Sequence, residues 1–244
     1  MNSRRPIAAF TLLELLVVIS IMGIVAALAV PAIKTFGRSN AVTTATRQMM
    51  DDVAQARQRA IATRTDVYLV FVPPSVPTFL GSAASFRPAD RYVLTNLQAS
   101  QYSGYALFAS HQVGDQPGRP TARYLTSWRT LPEGTFIAAN KFGGANVNGV
   151  SPFQVGQFPF PSSDSPVQKP LPYIRFNYQG QVVGARDGGT EIIPLARGSV
   201  LAPRDGSGPA SVLETPPANS ITISNHIRID GLTGRARVER LQVQ

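Results

Sequence analysis

The chain has no cysteine among its 244 residues, so neither a disulfide framework nor a cysteine-ligated metal site can form. Any stability must come from burial rather than cross-links. Only two histidines are present, His111 and His226, and neither lies near an acid–nucleophile pattern. Each is read as a packing or surface residue. Phosphate-cradling glycine loops, nucleophile elbows and zinc-protease histidine pairs are all missing. The expectation is a protein that is not an enzyme and holds no cofactor and no metal. Asp187, Glu191 and Asp230 are acids of one region, but their spacing matches no calcium loop. Acidic residues are the scarcer charge: 14 against 23 basic, for a net charge of +9. Such a balance attracts nucleic acid, anionic lipid or acidic partners. Here the excess is dispersed, with no block of five basic residues to act as a nucleic-acid tail.

What is present includes 20 glycines and 20 prolines, which signals many turns and hence β structure. The length suits one good-sized domain with an added element, or two small domains. The N-terminus carries most of the information. Residues 1–9, MNSRRPIAA, are short and basic through Arg4 and Arg5. Residues 10–30, FTLLELLVVISIMGIVAALAV, carry a single charge, Glu14. As a helix this run spans about 30 Å, the thickness of a bilayer's hydrocarbon core. Arg4 and Arg5 then stay on the cytoplasmic side.

A secretory signal peptide shares the basic start and the apolar run, and Ala26, Ala27 and Ala29 offer it a small-residue cleavage site. Two features favour a retained helix instead. The run is long for a signal, and a carboxylate sits near its start. An acid within the bilayer costs about 2.5–3.5 kcal/mol on insertion scales, so Glu14 needs a partner.

These residues resemble the N-terminus of type IV prepilins and type II secretion pseudopilins. The resemblance implies that a prepilin peptidase cuts between Ala9 and Phe10. Phe10 is then N-methylated, and Glu14, fifth in the mature chain, offsets the terminal amine of a neighbouring subunit. The family usually has glycine before the cut, where this chain has Ala9. Pro31 stands where the family often has a helix-kinking proline, and Gly23 adds a second soft point. The implied partners are other pilin or pseudopilin subunits, the peptidase and the inner membrane. The implied location is single-pass in that membrane with a periplasmic head, then a periplasmic pseudopilus or a cell-surface filament.

Past Pro31 the pattern becomes amphipathic. Val42, Ala45, Met49, Val53, Ala56 and Ala60 recur at spacings of three and four. Arg38, Arg47, Asp51, Asp52, Gln55, Arg57, Gln58, Arg59 and Arg64 mark the opposite, solvated face. One helix is expected from about Thr11 to about Thr63. The expected division is a leader at 1–9, a membrane and filament-core half at 10–31, an amphipathic half at 32–65 and a β-rich head at 66–244. The fold class is α+β and pilin-like: a long kinked helix on an antiparallel sheet with long loops.

Strands are expected at 66–72, 92–97, 105–112, 173–178, 181–185 and 191–195, with one following a turn in 131–139. A terminal hairpin joins 226–229 to 235–241. Loops are expected at 73–88, 141–172 and 201–219. The middle one holds six prolines and four glycines in thirty-two residues, and reads as a mobile insertion or a partner-binding arm.

The head adds a second resemblance. AQARQRAIATRT running into VYLVF, YIRFNYQGQVV with its central glycine, and HIRIDGLTGRARV with its TGR turn are similar to GspH/FimT-type pseudopilins. The stretch from Trp128 to Gly134 is closer to the cassette-D pilin-like proteins of verrucomicrobial type. In FimT-type minor pilins a GRxR turn near the C-terminus contacts DNA. That implies a second reading, DNA binding for uptake through Arg235 and Arg237, extended by Arg228 and Arg240. Against it, no aromatic lies within 235–244 for base stacking, and Glu239 dilutes the charge. A third reading, an anchored enzyme or carbohydrate binder with its site in the long loops, has no motif behind it.

Overall fold

The computed structural model describes residues 12–81, 85–112, 114–116, 121–203, 208–222 and 225–240, with the side chains of all but 27–40 and 222. The chain divides into two compact units, residues 1–40 and 41–244. The class is the expected one, α+β, with an N-terminal helix and an antiparallel head. Helix α1 runs Leu12–Thr63, without a break at Gly23 or Pro31. It ends at Arg64, whose φ of 52° is the left-handed conformation that closes many helices.

In the second unit Ala45, Met49, Val53, Ala56 and Ala60 of α1 are fully buried. They form the helical side of the main core. The other sides come from two antiparallel sheets. The first has seven strands in the order β3 (Arg123–Tyr124), β2 (Gly104–Ala109), β1 (Val67–Phe71), β7 (Gln168–Phe176), β6 (Gln154–Pro159), with β4 (Arg129–Thr130) on β2 and β8 (Val182–Val183) on β7. The second orders β10 (Ser211–Glu214), β9 (Thr190–Leu201), β11 (Asn225–Asp230) and β12 (Ala236–Arg240), with β5 (Thr135–Ile137) on β9.

Strand β1 is central and buried on both faces, which explains its unbroken apolar sequence. Val67, Leu69 and Phe71 face the core shared with α1. Val70 and Tyr68 belong to a second core on the far face, which also holds Phe79, Phe86, Leu94 and Leu97. The last four come from α2 (Val76–Gly81), α3 (Pro88–Gln98) and their connection.

Four expectations need correction. Residues 92–97 are not a strand but lie within α3. Their aromatic and β-branched content suggests β, but Pro88 in the first turn starts a helix and Leu94 and Leu97 bury at a spacing of three. Tyr92 points outward and is 73% exposed. Residues 73–88 contain α2. Residues 201–219 contain β10, paired with the end of β9. Residues 141–172 contain β6 and the first half of β7, paired from Gln154↔Tyr173 to Pro159↔Gln168. Prolines 170 and 172 are tolerated because β7 meets β1 only from Tyr173 onward, so the missing donors face a side without a partner strand.

Two glycines explain the turn sequences of the head. Gly180 has φ 77°, and a Cβ there would meet Ile61 Cδ1 of α1 at 2.7 Å. Gly234 has φ 63°, and a Cβ there would collide with the Gly180 carbonyl oxygen. The two turns therefore pack backbone to backbone under the end of α1. Arg57 Nε adds a 2.6 Å hydrogen bond to the Thr233 carbonyl, so Arg57 is a strut rather than part of a solvated face.

Candidate assembly segment and head surfaces

The first turns of α1 bear eleven large apolar side chains between Leu12 and Val25, all exposed, from 45% at Val18 to 84% at Leu12. They lie on every side of the helix, since positions 15–19 are consecutive. Ser20 satisfies its own hydroxyl by donating to the Leu16 carbonyl at 2.8 Å. Glu14 is the one charged residue of this stretch. Gly23 has nothing near its missing Cβ. Ala9 and Phe10 lie outside the described residues, and so does the side chain of Pro31. Among the described residues no helix is long and apolar enough to cross a membrane.

Charged groups inside the head are the features that sequence reading missed. Asp52, expected on a solvated face, is only 4% exposed. It accepts a 2.6 Å hydrogen bond from the Tyr105 hydroxyl and pairs with Arg129. Gln48 donates to the same Tyr105 oxygen at 2.7 Å and to the Thr130 carbonyl at 3.0 Å. Burial, and then the bond to Asp52, hold the Tyr105 phenol well above its usual value, so it stays a donor. This group ties α1 to β2 and β4. A second ion pair lies deeper. Lys141 is fully buried, and its Nζ donates to Glu191 Oε1 at 2.6 Å and to the Ser151 carbonyl at 2.7 Å. The same ammonium sits 4.7 Å from the Phe153 ring centre. Burial pushes Lys141 down and Glu191 up, each toward neutrality, while their mutual attraction opposes this.

These contacts engage the three acids of the calcium reading separately. Glu191 holds Lys141, Asp187 Oδ1 accepts from the Ser151 amide at 3.0 Å, and Asp230 Oδ1 accepts from the Thr233 amide at 2.7 Å. Among the described residues no cluster of three His, Cys, Asp or Glu is placed to hold a metal. His226 is buried in β11, and burial lowers its pKa, which keeps the ring neutral. His111 is exposed and shares a 3.0 Å contact with the Ser110 hydroxyl.

The terminal hairpin has the expected form, but its arginines do not make one strip. Arg228 and Arg237 are opposite each other in register, as are His226 and Glu239. Arg228 is ion-paired to Glu239, which offsets its charge. Arg235 is exposed in the turn before β12. Arg240 pairs with Asn225 and so projects to the other face, with Val238 and Ala236. Alternation along the strand separates it from Arg237, which corrects the extended strip.

Comparison with known proteins adds one positive finding. No curated protein and no solved structure matches the chain. Residues 4–30 match the prokaryotic N-terminal methylation motif. The matched segment contains Ala9, Phe10, Glu14 and Gly23, together with all eleven exposed apolar residues. The chain thus carries the prepilin-type N-terminal motif, which supports a type IV pilin-like protein.

Proposed function

We propose that the protein is a minor pilin-like subunit of GspH/FimT type, assembled into a type II secretion pseudopilus or a type IV pilus-like filament. In this reading residues 1–9 are a leader, cut between Ala9 and Phe10 by a prepilin peptidase, and Phe10 is methylated. Residues 10–31 hold the subunit in the inner membrane and later enter the filament core, where Glu14 offsets a neighbour's Phe10 amine. Residues 32–65 link this core to a periplasmic head at 66–244. Gly23 and Pro31 let the helix bend in the packed filament.

One observation carries the reading: eleven exposed apolar side chains on a helix that matches the methylation motif. Each is worth about 1.5–3 kcal/mol on full burial. Such a helix therefore requires lipid or other helices around it. Glu14 within that surface selects helices bearing a positive charge at one depth, which is what a filament of identical N-termini supplies.

The absence of cysteine makes the test direct. A single cysteine at Leu16 is expected to form disulfide-linked dimers in cells that contain the assembly machinery, and monomers in cells that lack it. Monomers in both would sink the assembly reading.

A further inference from the structure

Three turns meet under the end of α1. Residues 177–181 join β7 to β8, residues 184–189 follow β8, and residues 230–235 join β11 to β12. The Val182 amide donates to the Gly231 carbonyl, and the Gly231 amide to the Gly189 carbonyl, both at 2.8 Å. Each of the two hairpin turns is also closed by its own side chain. Asn177 Oδ1 accepts from the amides of Gln179 and Gln181 at 3.0 and 2.9 Å. Asp230 Oδ1 accepts from the amide and hydroxyl of Thr233 at 2.7 and 2.9 Å. This end of the head is therefore formed before any partner arrives, which lowers the cost of binding.

Its composition is unusual for turns, which are normally built from glycine, proline, asparagine, aspartate and serine. Tyr178 and Leu232 stand in the two hairpin turns and are 57% and 78% exposed. Leu232 walls the same surface depression as Asn177 and Gln181, next to Tyr178. Ile61 of α1, 40% exposed, lies against the same turn at Gly180. One exposed apolar side chain is ordinary, but three gathered at one end mark a contact surface. The charge there is of one sign. Residues 57–64, 177–181, 184–189 and 230–235 hold five arginines and two aspartates, with no lysine or glutamate. Both aspartates are engaged inside the head, Asp187 with the Ser151 amide and Asp230 with Thr233. Arg64, Arg186 and Arg235 are exposed and make no ion pair among the described residues.

We propose that this end of the head docks on a bilayer that carries anionic phospholipid. Arginine matches the phosphate of a headgroup, and its stem tolerates the interface. Tyrosine has the apolar body and polar tip that suit the same depth. Leu232 and Ile61 gain from the acyl boundary and gain nothing from the solvated backbone of a nucleic acid. Stable protein interfaces take about 20–30 residues a side, far more than this patch offers. A bilayer asks for no such matched shape. The surface is built from head residues alone, so it goes beyond the assembly reading and does not require it.

The test embeds the full chain in phosphatidylcholine nanodiscs, which occupy its N-terminal helix. Sucrose-loaded vesicles are then added and sedimented, either pure phosphatidylcholine or phosphatidylcholine mixed with phosphatidylglycerol. The expected result is that loaded nanodiscs sediment with the anionic vesicles about tenfold more than with the neutral ones, while empty nanodiscs do not. Arg186→Glu with Arg235→Glu is expected to weaken capture about twentyfold, at about fivefold or slightly less per arginine lost. Tyr178→Ser with Leu232→Ser is expected to weaken it about tenfold or more. All four side chains are exposed, so thermal unfolding of both variants is expected to match the parent. Equal sedimentation with both kinds of vesicle would overturn the proposal. So would undiminished capture of the Tyr178 and Leu232 variant, which would leave charge alone at work. Retention of a DNA duplex by a protein that no vesicle captures would overturn it in favour of a nucleic-acid surface.

Discussion

Glu14→Ala is expected to leave the protein in the membrane and remove it from the filament. Within a bilayer the carboxylate costs about 2.5–3.5 kcal/mol, so its loss makes insertion easier. Assembly responds in the opposite direction. A mature Phe10 amine packed among apolar helices loses the group that offsets its charge, and removing one partner of a buried pair costs about 3–5 kcal/mol. By the usual conversion that is a fall of about a hundredfold or more in incorporation. Glu14→Gln keeps the shape and removes the charge, so it too is expected to fail, though less completely. Immunoblots of sheared filaments against membrane fractions measure the effect. Normal incorporation of the alanine variant would show that Glu14 is not the register key. The apolar neighbours of Glu14, Leu13 and Leu15, are 74% and 58% exposed, so this part of the helix offers its surface to other helices.

The second large effect lies in the head. Lys141→Met is expected to destabilise the head by about 3–5 kcal/mol, because it strands the buried Glu191 carboxylate. Methionine keeps the length of the side chain and its contact with Phe153. Lys141→Met with Glu191→Leu is expected to recover most of the loss, since an apolar pair of similar volume costs no charge desolvation. Urea denaturation followed by tryptophan fluorescence reads all three proteins, with Trp128 as the sole reporter. A single variant as stable as the parent would mean that the pair is hydrated rather than dry.

Much of this fold is legible in the sequence, and the reasons are local. The stripe from Val42 to Ala60 has the helical period, and every member is buried. The strands expected at 66–72, 105–112 and 226–229 are found at 67–71, 104–109 and 225–230, because apolar runs there end near turn residues. The errors share a cause, which is that tertiary partners outvote local preference. Tyr92 to Leu97 looks like a strand until Asp90 and Pro88 are seen starting a helix that the second core needs. Prolines at 159, 170 and 172 suggest a loop, yet an edge strand and a half-paired neighbour accommodate them. Asp52 and Lys141 are charged types that normally face water, and their partners are 53 to 77 and 50 residues away along the chain. No spacing announces such pairs. The separation of Arg240 from Arg237 was available from strand alternation alone. In the candidate site, Glu14 and the apolar run are visible in sequence because they act through composition, whereas the Lys141–Glu191 pair joins residues far apart in the chain and emerges only on folding.

If the N-terminal helix is a processed assembly element, the mature N-terminus carries the record of it. The most direct measurement is mass spectrometry of the N-terminal peptide of the protein isolated from membranes of its own host. The expected peptide begins at Phe10 and carries one extra methyl group on its amine. A chain that still begins at Met1, or one cut after Ala26, Ala27 or Ala29 as a secretory signal would be, would contradict it.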